Sequence, residues 1–421
     1  MELRPFGDLL PAETARRRLL ASTRPIARTE DVLLESALGR VSARIVRAPR
    51  DVPAFRRATW DGYALRSIDT RTARVDRPAE LRVVGEVFAE GRFARRLGGG
   101  EAVAIATGAA VPADADSVVI FEEVEREPRA IRVPRPIRPG DRISPVGDDF
   151  RKGALLAREG EPLTVGSLGT LAAAGFASAR VYARPVVAIV PNGNELLAPG
   201  APPRAGAIYE SNNATLAAVV TAAGGIPWPF PPAPDDPGRI ERTLRSALRT
   251  ADLVLATGGS SVGERDHLPR ILPRLGRLLF HGIAVRPGKP TLAANCGGKL
   301  VVGLPGHPSS CLSNMYWLVL PVLRRLAHQP GPGWTDGRAT LGDEVVALSP
   351  GLATVVPIAL RRGRAYSTFR GSSVVSSLAE ATAFALLPPG RRLVRAGESI
   401  PVHVLDPPLG ARTGAAAPKN G

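Results

Sequence analysis

Three stretches share one pattern and decide the fold: PVVAIVPNGNE at 185–195, ADLVLATGGSSVG at 251–263 and KLVVGLPGHPSS at 299–310. Each is a short apolar run of the kind that forms a buried strand, and each ends in a loop rich in Gly, Pro and Ser. Helical segments at 211–225 and 238–248 lie between the first and second stretches, and another at 311–327 follows the third. Strands that alternate with helices predict a parallel, doubly wound α/β domain over 184–328.

The segments on either side of this domain have a different rhythm. Residues 8–50 have a helical pattern, in which Pro11 opens a first helix and DVLLESAL at 31–38 is predicted to form a second. Residues 51–137 carry strand-like runs separated by Gly and Pro, and a helical pattern returns at 163–180. The predicted organisation is multidomain α/β, with these parts: 1–50 and 138–183 as an N-terminal helical and linker domain, 51–137 as an inserted β-rich domain, 184–328 as the doubly wound domain, 336–407 as a C-terminal β domain and 408–421 as a disordered tail.

The chain is basic, with 55 Lys and Arg against 39 Asp and Glu and a formal net charge of +16 over 421 residues. Nucleic-acid binding is one interpretation of such a charge. The tight basic run is limited to Arg16, Arg17 and Arg18, however, and no aromatic residues interleave with it. We therefore predict no nucleic-acid partner, and a positive field that attracts small anionic substrates is the remaining interpretation.

Cysteine and histidine are scarce. The two cysteines, Cys296 and Cys311, have no zinc-ligand spacing, and the chain has only five histidines. Few cysteines are typical of a reducing compartment. The first residues lack the apolar core of a signal peptide, and no apolar run approaches about 20 residues. These features predict a cytoplasmic protein that does not enter a membrane.

The three loops are expected to meet in one crevice, because ligands of parallel sheets bind at the carboxyl ends of the strands. Gly258, Gly259 and Gly263 leave backbone N–H groups open to an anion, and the helix after Gly306 directs its positive end to the same place. Lys289, in RPGKPT, is either a further oxyanion contact or a solvated loop lysine. Hydroxyl donors come from Ser260, Ser261, Ser309 and Ser310. Together the loops predict a ligand that carries phosphate, although each turn alone has a purely geometric alternative.

Carboxylates in the same loops indicate a cation. Glu195 follows the first strand, Asp266 closes the second loop, and Asp235 and Asp236 lie between them. Acidic groups repel phosphate unless a cation bridges the two, and Mg²⁺ is bound by one or two carboxylates together with phosphate oxygens. Helix capping is an equal alternative for Asp235 and Asp236, and Asp266 has the same alternative at the helix that follows it.

Taken in order, these motifs resemble the molybdopterin molybdenumtransferase family, which includes the C-terminal part of gephyrin. The resemblance covers nearly the whole chain. It rests on eight motifs in register: TWDGYAL at 59–65, ATGAAVPADADSVVIFEE at 106–123, IRPGDRISPVGDDFRKGALLAREG at 137–160, PVVAIVPNGNELLAPG at 185–200, GAIYESNN at 206–213, ATGGSSVGERD at 256–266, VRPGKPT at 285–291 and GLPGHPSS at 303–310.

The resemblance implies a transferase of molybdenum cofactor biosynthesis that inserts molybdate into adenylylated molybdopterin and releases AMP, with Mg²⁺ as cofactor. It also implies an L-shaped subunit of four parts, with a molybdopterin-binding doubly wound domain and a barrel-like C-terminal domain, in an elongated homodimer. The implied partners are a pterin adenylyltransferase and the molybdoenzymes that accept the cofactor.

The resemblance also implies the roles of individual residues. The catalytic positions are Asp61, Thr107, Glu195, Asp235 and Asp266, of which Glu195, Asp235 and Asp266 would hold the metal. The substrate-binding positions are Gly258, Gly259, Ser260, Gly263, Lys289, Pro305, Gly306, Pro308 and Ser309. Asp61 and Thr107 would reach the site of the partner subunit across the dimer interface.

The sequence departs from the usual family pattern at Trp60, where Met is common, at Asn194, where Asp is usual, and at His307, where Asn is usual. A Ser-Ser-Arg pattern of some relatives also reads Ser372-Ser373-Val374 here. These departures leave the choice between molybdenum and tungsten open. One alternative function is a pterin adenylyltransferase, which shares the doubly wound domain but lacks the long N-terminal region. A non-catalytic pterin-binding or scaffold protein on the same fold is the other alternative, although the acidic positions of the family are retained here.

Overall fold

The computed structural model describes residues 8–261, 263, 266–346, 349 and 351–405. The predicted disordered tail at 408–421 lies outside this range. No helix within these residues is long and apolar enough to cross a membrane.

The N-terminal segment contains one helix, not two. Helix α1, Ala12–Ala21, begins after Pro11 as predicted and buries one face in the core of the doubly wound domain. The helix predicted at 31–38 is wrong, because Thr29–Leu33 forms strand β1 and Leu34–Ser36 a single 3₁₀ turn. β1 pairs antiparallel with the distant strand Ser178–Tyr182, which satisfies its backbone better than a helix of two turns would in isolation.

The predicted β-rich insert forms a six-stranded sheet. Residues 46–182 contain, in order, β2 Val46–Arg47, β3 Arg57–Ala58, β4 Gly62–Leu65, β5 Ala79–Val87, β6 Glu101–Ile105, β7 Ser117–Ile120, β8 Glu125–Glu127, β9 Ala130–Val133, β10 Ile143–Ser144, β11 Leu155–Ala157, α2 Val165–Ala173 and β12 Ser178–Tyr182. The sheet order is β7-β4-β6-β5-β9-β8. Its neighbouring strands are antiparallel except for β5 and β6.

Helix α2 is shorter than the helical pattern at 163–180 predicts. Thr164 and Ser167 form a reciprocal capping box at its start. Gly175 follows the helix with φ of 94°, a conformation that ends the helical run. The rest of the predicted helix becomes β12, because its backbone pairs with β1.

The doubly wound domain is built on a second six-stranded sheet. Its elements are β13 Val186–Pro191, β14 Leu196–Leu197, β15 Ile208–Tyr209, α3 Asn212–Ala222, β16 Ile226–Pro229, α4 Pro237–Thr250, β17 Leu253–Thr257, α5 Leu268–Leu275, β18 Arg277–His281, β19 Val285–Arg286, β20 Leu292–Cys296, β21 Lys299–Leu304, α6 Pro308–Asn314 and α7 Leu320–Leu326. The order is β16-β13-β17-β21-β20-β18, in which the first four strands are parallel. The predicted parallel sheet is confirmed, and β20 and β18 extend it as an antiparallel pair that the pattern did not predict.

Both faces of this sheet are buried, which explains the continuous apolar runs. Val187 and Ile189 face one hydrophobic core, whereas Ala188 and Val190 between them face another. Helices α6 and α7 are joined by a π-helical stretch, Met315–Val319, so that one helical run follows the last parallel strand.

Strand β16 forms one edge of the sheet. The N–H groups of Ile226 and Phe230 donate to Pro185 and Ile189 at 2.8 Å each. The sequence between them is Pro-Trp-Pro, with prolines at the alternate positions. Proline is tolerated in a strand where its missing N–H would face away from the sheet.

The C-terminal strands close into a barrel, as the resemblance implied. They are β22 Trp334–Leu341, β24 Ala353–Arg361, β25 Arg364–Ser367, β26 Ala383–Leu387 and β28 Ser399–Leu405. The short strands β23 Val345–Val346 and β27 Leu393–Val394 pair with each other in a separate sheet. The pairing β24-β25-β22-β28-β26 returns from β26 to β24. Strand β19 of the preceding domain also pairs with β24, so the barrel is attached beside the RPGKPT loop.

Candidate active site

The carboxyl ends of β13, β17 and β21 border one open crevice of about 380 Å³. These strands are adjacent and parallel, so the loops that follow them meet at the same sheet edge. The crevice is lined by Asn192, Gly193, Glu195, Asp235, Gly258, Gly259, Ser260, Ser261, Asp266, Pro290, Pro305, Gly306 and His307. The structure therefore brings together the three loops and the three carboxylates that the sequence singled out.

Gly258 allows the three loops to approach one another. It has φ of 80°, and a Cβ at this position would lie 2.4 Å from the backbone oxygen of Asn192 in the first loop. Gly306 of the third loop also packs against Gly258, because a Cβ added to Gly306 would lie 3.5 Å from the Gly258 Cα. The crevice floor is therefore largely backbone, which leaves it open to a closely bound ligand.

The first loop and the loop before α4 are joined by a reciprocal pair of hydrogen bonds. The Asn194 N–H donates to Oδ2 of Asp235 at 3.3 Å, and the Asp235 N–H donates to Oδ1 of Asn194 at 3.1 Å. The Glu195 carboxylate lies over Gly193, because a Cβ added to Gly193 would be 2.6 Å from Oε1 of Glu195. Asp236, in contrast, accepts a backbone N–H in the first turn of α4 at 2.6 Å. The cap is thus Asp236, and Asp235 faces the crevice.

Asp266 holds the Gly-rich loop after β17. Its Oδ1 accepts the Ser261 N–H and its Oδ2 accepts the Gly263 N–H, both at 2.9 Å. The following helix begins at Leu268 with His267 as its N-terminal flanking residue and no side-chain cap. The helix-capping alternative for Asp266 is therefore wrong, and its carboxylate instead holds the shape of the loop.

The carboxylates do not form a ready-made metal cluster. Within the described residues, no three His, Cys, Asp or Glu side chains are grouped closely enough to hold a metal ion. Glu195, Asp235 and Asp266 nevertheless line the same crevice. Protein sites for Mg²⁺ commonly supply one or two carboxylates and leave the remaining positions to water and ligand phosphates. These side chains fit a Mg²⁺ site that a phosphate-bearing ligand completes.

Buried polar atoms near the crevice lack partners within the described part of the chain. They are Oδ1 of Asn192, Oγ1 of Thr257 and Oγ of Ser309. Leaving such an atom without a hydrogen bond costs about 1–3 kcal/mol. Asn192 lines the crevice, Thr257 immediately precedes the Gly-rich loop, and Ser309 follows the third loop.

The C-terminal barrel contacts the third loop. Nδ1 of His307 lies 3.1 Å from the Ser372 hydroxyl, and the Ser309 N–H donates to the Ser372 carbonyl at 3.0 Å. Of the other predicted substrate-binding residues, Pro308 begins α6, and Lys289 is half-buried beside the crevice-lining Pro290. The predicted site contained no barrel residue, because the contact joins segments far apart in sequence.

Asp61 and Thr107 lie together in the insert but are not among the residues that line the crevice. Oδ1 of Asp61 accepts the Thr107 N–H at 2.7 Å and its hydroxyl at 3.0 Å. These two bonds, the backbone bond foremost, lower the pKa of Asp61. Both residues are exposed.

Glu210, in the GAIYESNN motif, is a functional candidate that residue-type reasoning missed. Burial raises the pKa of its carboxyl, although the N–H groups of Asn212 and Asn213 donate to it at 2.8 and 2.9 Å. Asn212 in turn donates to the Gly306 carbonyl at 2.9 Å. Glu210 therefore fixes the start of α3, which supports the third loop.

Comparison with protein-family models accounts for most of the chain. Residues 10–175 match the MoeA N-terminal region (domains I and II), 188–325 match a probable molybdopterin binding domain, and 339–405 match the MoeA C-terminal region (domain IV).

Complete proteins of known family match as well. The chain is 33% identical to a molybdopterin molybdenumtransferase of Bacillus subtilis and 30% identical to one of Haemophilus influenzae, covering 94% and 96% of this chain and 94% and 100% of theirs. A crystal structure of the molybdopterin biosynthesis MoeA protein of Pyrococcus horikosii superimposes with a TM-score of 0.84 at 34% identity, over 94% of this chain and 99% of the other. The chain therefore belongs to the molybdopterin molybdenumtransferase family, whose members are transferases of molybdenum cofactor biosynthesis.

Proposed function

We propose that the crevice binds adenylylated molybdopterin and inserts molybdate into its dithiolene in a Mg²⁺-dependent reaction that releases AMP. One observation carries the proposal: three Gly-rich loops and the carboxylates Glu195, Asp235 and Asp266 line a single crevice at the ends of parallel strands. Carboxylates beside a phosphate-binding floor are unfavourable unless a cation is present.

Each group has a chemical task in this proposal. The Gly259 N–H and the Ser260 hydroxyl bind phosphate oxygens, and Lys289 supplies a positive charge to phosphate or molybdate. The expectation that Gly258 and Gly263 also leave their N–H groups open is wrong, because these groups donate to the Leu304 carbonyl and to the Asp266 carboxylate. Glu195, Asp235 and Asp266 would hold Mg²⁺, which when bound neutralises charge on the departing phosphate. No general base is assigned, because positioning and electrostatics carry the reaction.

The remaining substrate-binding positions shape the crevice. Pro305 and Gly306 line it, Pro308 begins α6, and Ser309 follows with a buried hydroxyl that has no partner among the described residues. Gly263 is held by Asp266, which keeps the second loop in place. The dithiolene sulfurs belong to the substrate, so the buried Cys296 and Cys311 need no part in the chemistry.

We further propose a homodimer in which Asp61 and Thr107 of one subunit complete the crevice of the other. Their exposure and their absence from the crevice of their own subunit support this arrangement. In the cell, we place the protein in the cytoplasm between a pterin adenylyltransferase that supplies the substrate and the molybdoenzymes that accept the product.

The shared site is tested by mixing two inactive variants, Asp61→Asn and Glu195→Gln. Each heterodimer regains one intact site, so random pairing should restore about a quarter of the wild-type rate. Mixtures that stay inactive although heterodimers form would overturn the shared site.

The reaction is tested with purified protein, adenylylated molybdopterin, molybdate and Mg²⁺, omitting one component at a time. We expect AMP and molybdenum cofactor to form only in the complete mixture. Tight pterin binding without AMP release would instead establish a binding or scaffold protein. Transfer of adenylate from ATP to molybdopterin would establish an adenylyltransferase. Replacing molybdate by tungstate measures the metal preference.

A further inference from the structure

Asn314 is a fully buried amide, with 0% of its surface exposed, at the end of α6. Its Nδ2 donates to the Gly288 carbonyl at 2.9 Å and lies 2.6 Å from Oγ1 of Thr291. Burying an amide costs free energy that an apolar side chain would not, unless its hydrogen bonds compensate. The bonds of Asn314 leave its own helix and hold the loop between β19 and β20.

The loop is shaped to receive this amide. Gly288 has φ of 113°, and a Cβ there would lie 2.3 Å from Nδ2 of Asn314. The Thr291 hydroxyl donates to the same Gly288 carbonyl at 2.9 Å. The carbonyl therefore has two donors, one from the helix and one from the loop itself, which restricts the path of the backbone.

This contact connects two borders of the crevice. Lys289 follows Gly288, its carbonyl accepts the Ile283 N–H at 3.0 Å, and the next residue, Pro290, lines the crevice. Helix α6 begins directly after the crevice-lining His307. Six residues along a helix span about 9 Å, so a single rigid element sets the distance between the GLPGHP and RPGKPT loops.

We propose that Asn314 is a positioning residue that holds the RPGKPT loop so that Lys289 can bind the anionic substrate. This inference rests on the proposed function of Lys289. A tetrahedral dianion such as molybdate needs a cation at a defined distance, and a displacement of about 1 Å can cost about a hundredfold in rate. On this inference, molybdate binding depends on Asn314, which does not itself line the crevice.

The test compares Asn314→Ala and Lys289→Ala with Ser313→Ala as the matched control. Ser313 is equally buried in the same helix, but its hydroxyl donates within the helix, to the Ser309 carbonyl at 2.7 Å. We expect Asn314→Ala to raise the KM for molybdate roughly tenfold to a hundredfold, with a smaller change in kcat. Ser313→Ala should leave the KM unchanged. Molybdate binding, measured by calorimetry, should weaken in parallel.

The double variant Asn314→Ala/Lys289→Ala separates positioning from general damage. If Asn314 acts through Lys289, the double variant should have the same KM for molybdate as Lys289→Ala alone. Thr291→Val removes the hydroxyl that contacts Asn314 from the loop side, so it should raise the KM for molybdate as Asn314→Ala does. This variant keeps the test decisive if Asn314→Ala does not fold.

Two failures are distinguishable. If Lys289→Ala raises the KM but Asn314→Ala and Thr291→Val do not, the inference is overturned and the proposed function stands. If Lys289→Ala leaves the KM unchanged, the role proposed for Lys289 is overturned, and the inference with it. Additive effects in the double variant would also overturn the inference, because they show that Asn314 acts independently of Lys289.

Discussion

Asp266 has two roles that one substitution can separate. Its carboxylate accepts the N–H groups of Ser261 and Gly263, and it also lines the crevice where Mg²⁺ is proposed to bind. Asp266→Asn keeps the size of the side chain and one accepting oxygen, but it removes the charge and turns the other oxygen into an amide donor. We expect near-normal folding, retained pterin binding and lost Mg²⁺-dependent AMP release.

The structure allows the two effects to be estimated. A hydrogen bond to a charged group contributes about 1.5–3 kcal/mol, and the lower value applies to a half-buried carboxylate such as Asp266. Losing one such bond would raise the equilibrium population of the open loop conformation roughly tenfold. Losing a unit charge about 4 Å from a divalent cation costs about 2–8 kcal/mol, which raises the half-saturating Mg²⁺ concentration by roughly thirtyfold or more. Only the metal role changes the Mg²⁺ dependence.

The assay is AMP release measured over a range of Mg²⁺ concentrations, together with equilibrium binding of the pterin substrate. Asp236→Asn is the matched control, because Asp236 caps α4 away from the crevice lining and Asn caps equally well. A wild-type rate in Asp266→Asn would refute the metal role. A slower rate with an unchanged Mg²⁺ midpoint would also refute it and leave Asp266 as a loop-holding residue only.

Three further predictions concern single side chains. Thr107→Val should raise the pKa of Asp61 part of the way to its ordinary value, because one of the two bonds that lower it is lost; carboxyl ¹³C shifts followed against pH measure this. Arg95 in particular holds the pKa of Glu101 at about 2, below its ordinary value of 4.5. The ionised Glu101 carboxylate therefore stabilises the fold fully above pH 4.5, and this contribution disappears as the pH falls towards 2. Thermal melts of Glu101→Gln should therefore show lower stability at neutral pH and a smaller loss between pH 4.5 and 2. Gly258→Ala should lower stability by about 1–2 kcal/mol for its positive φ alone and by more for the clash with the first loop; by displacing the loops it should also abolish AMP release.

The central sheet could be predicted because its information is local. Strands buried on both faces require continuous apolar runs, and the Gly-rich loops mark where each run ends. The segment at 31–38 shows the limit of this reasoning. Its apolar spacing suits a helix, yet its structure is decided by a strand far away, as the contact of Asp31 with Arg180 across 149 positions shows. Such pairing leaves no local pattern.

The site was predictable in composition but not in detail. Loop position alone selected Glu195 and Asp266, whereas only the structure could decide between Asp235 and Asp236 as cap and crevice residue. The hydrogen bond between His307 and Ser372 joins two domains across 65 positions, and no sequence motif predicts it. Residue type and spacing in the sequence identify the groups that can take part in the chemistry. The contacts that hold these groups in place depend on tertiary packing and need the structure.

The prolines of β16 have a consequence for how this molecule can associate. A sheet edge normally offers a row of N–H and C=O groups onto which a foreign strand can add. Pro227 and Pro229 have no N–H to offer, and the N–H groups of Ile226 and Phe230 are already bound to β13. This edge can accept hydrogen bonds but has no outward donor between Ile226 and Phe230. Growth of the sheet into an aggregate by strand addition is therefore discouraged at this edge.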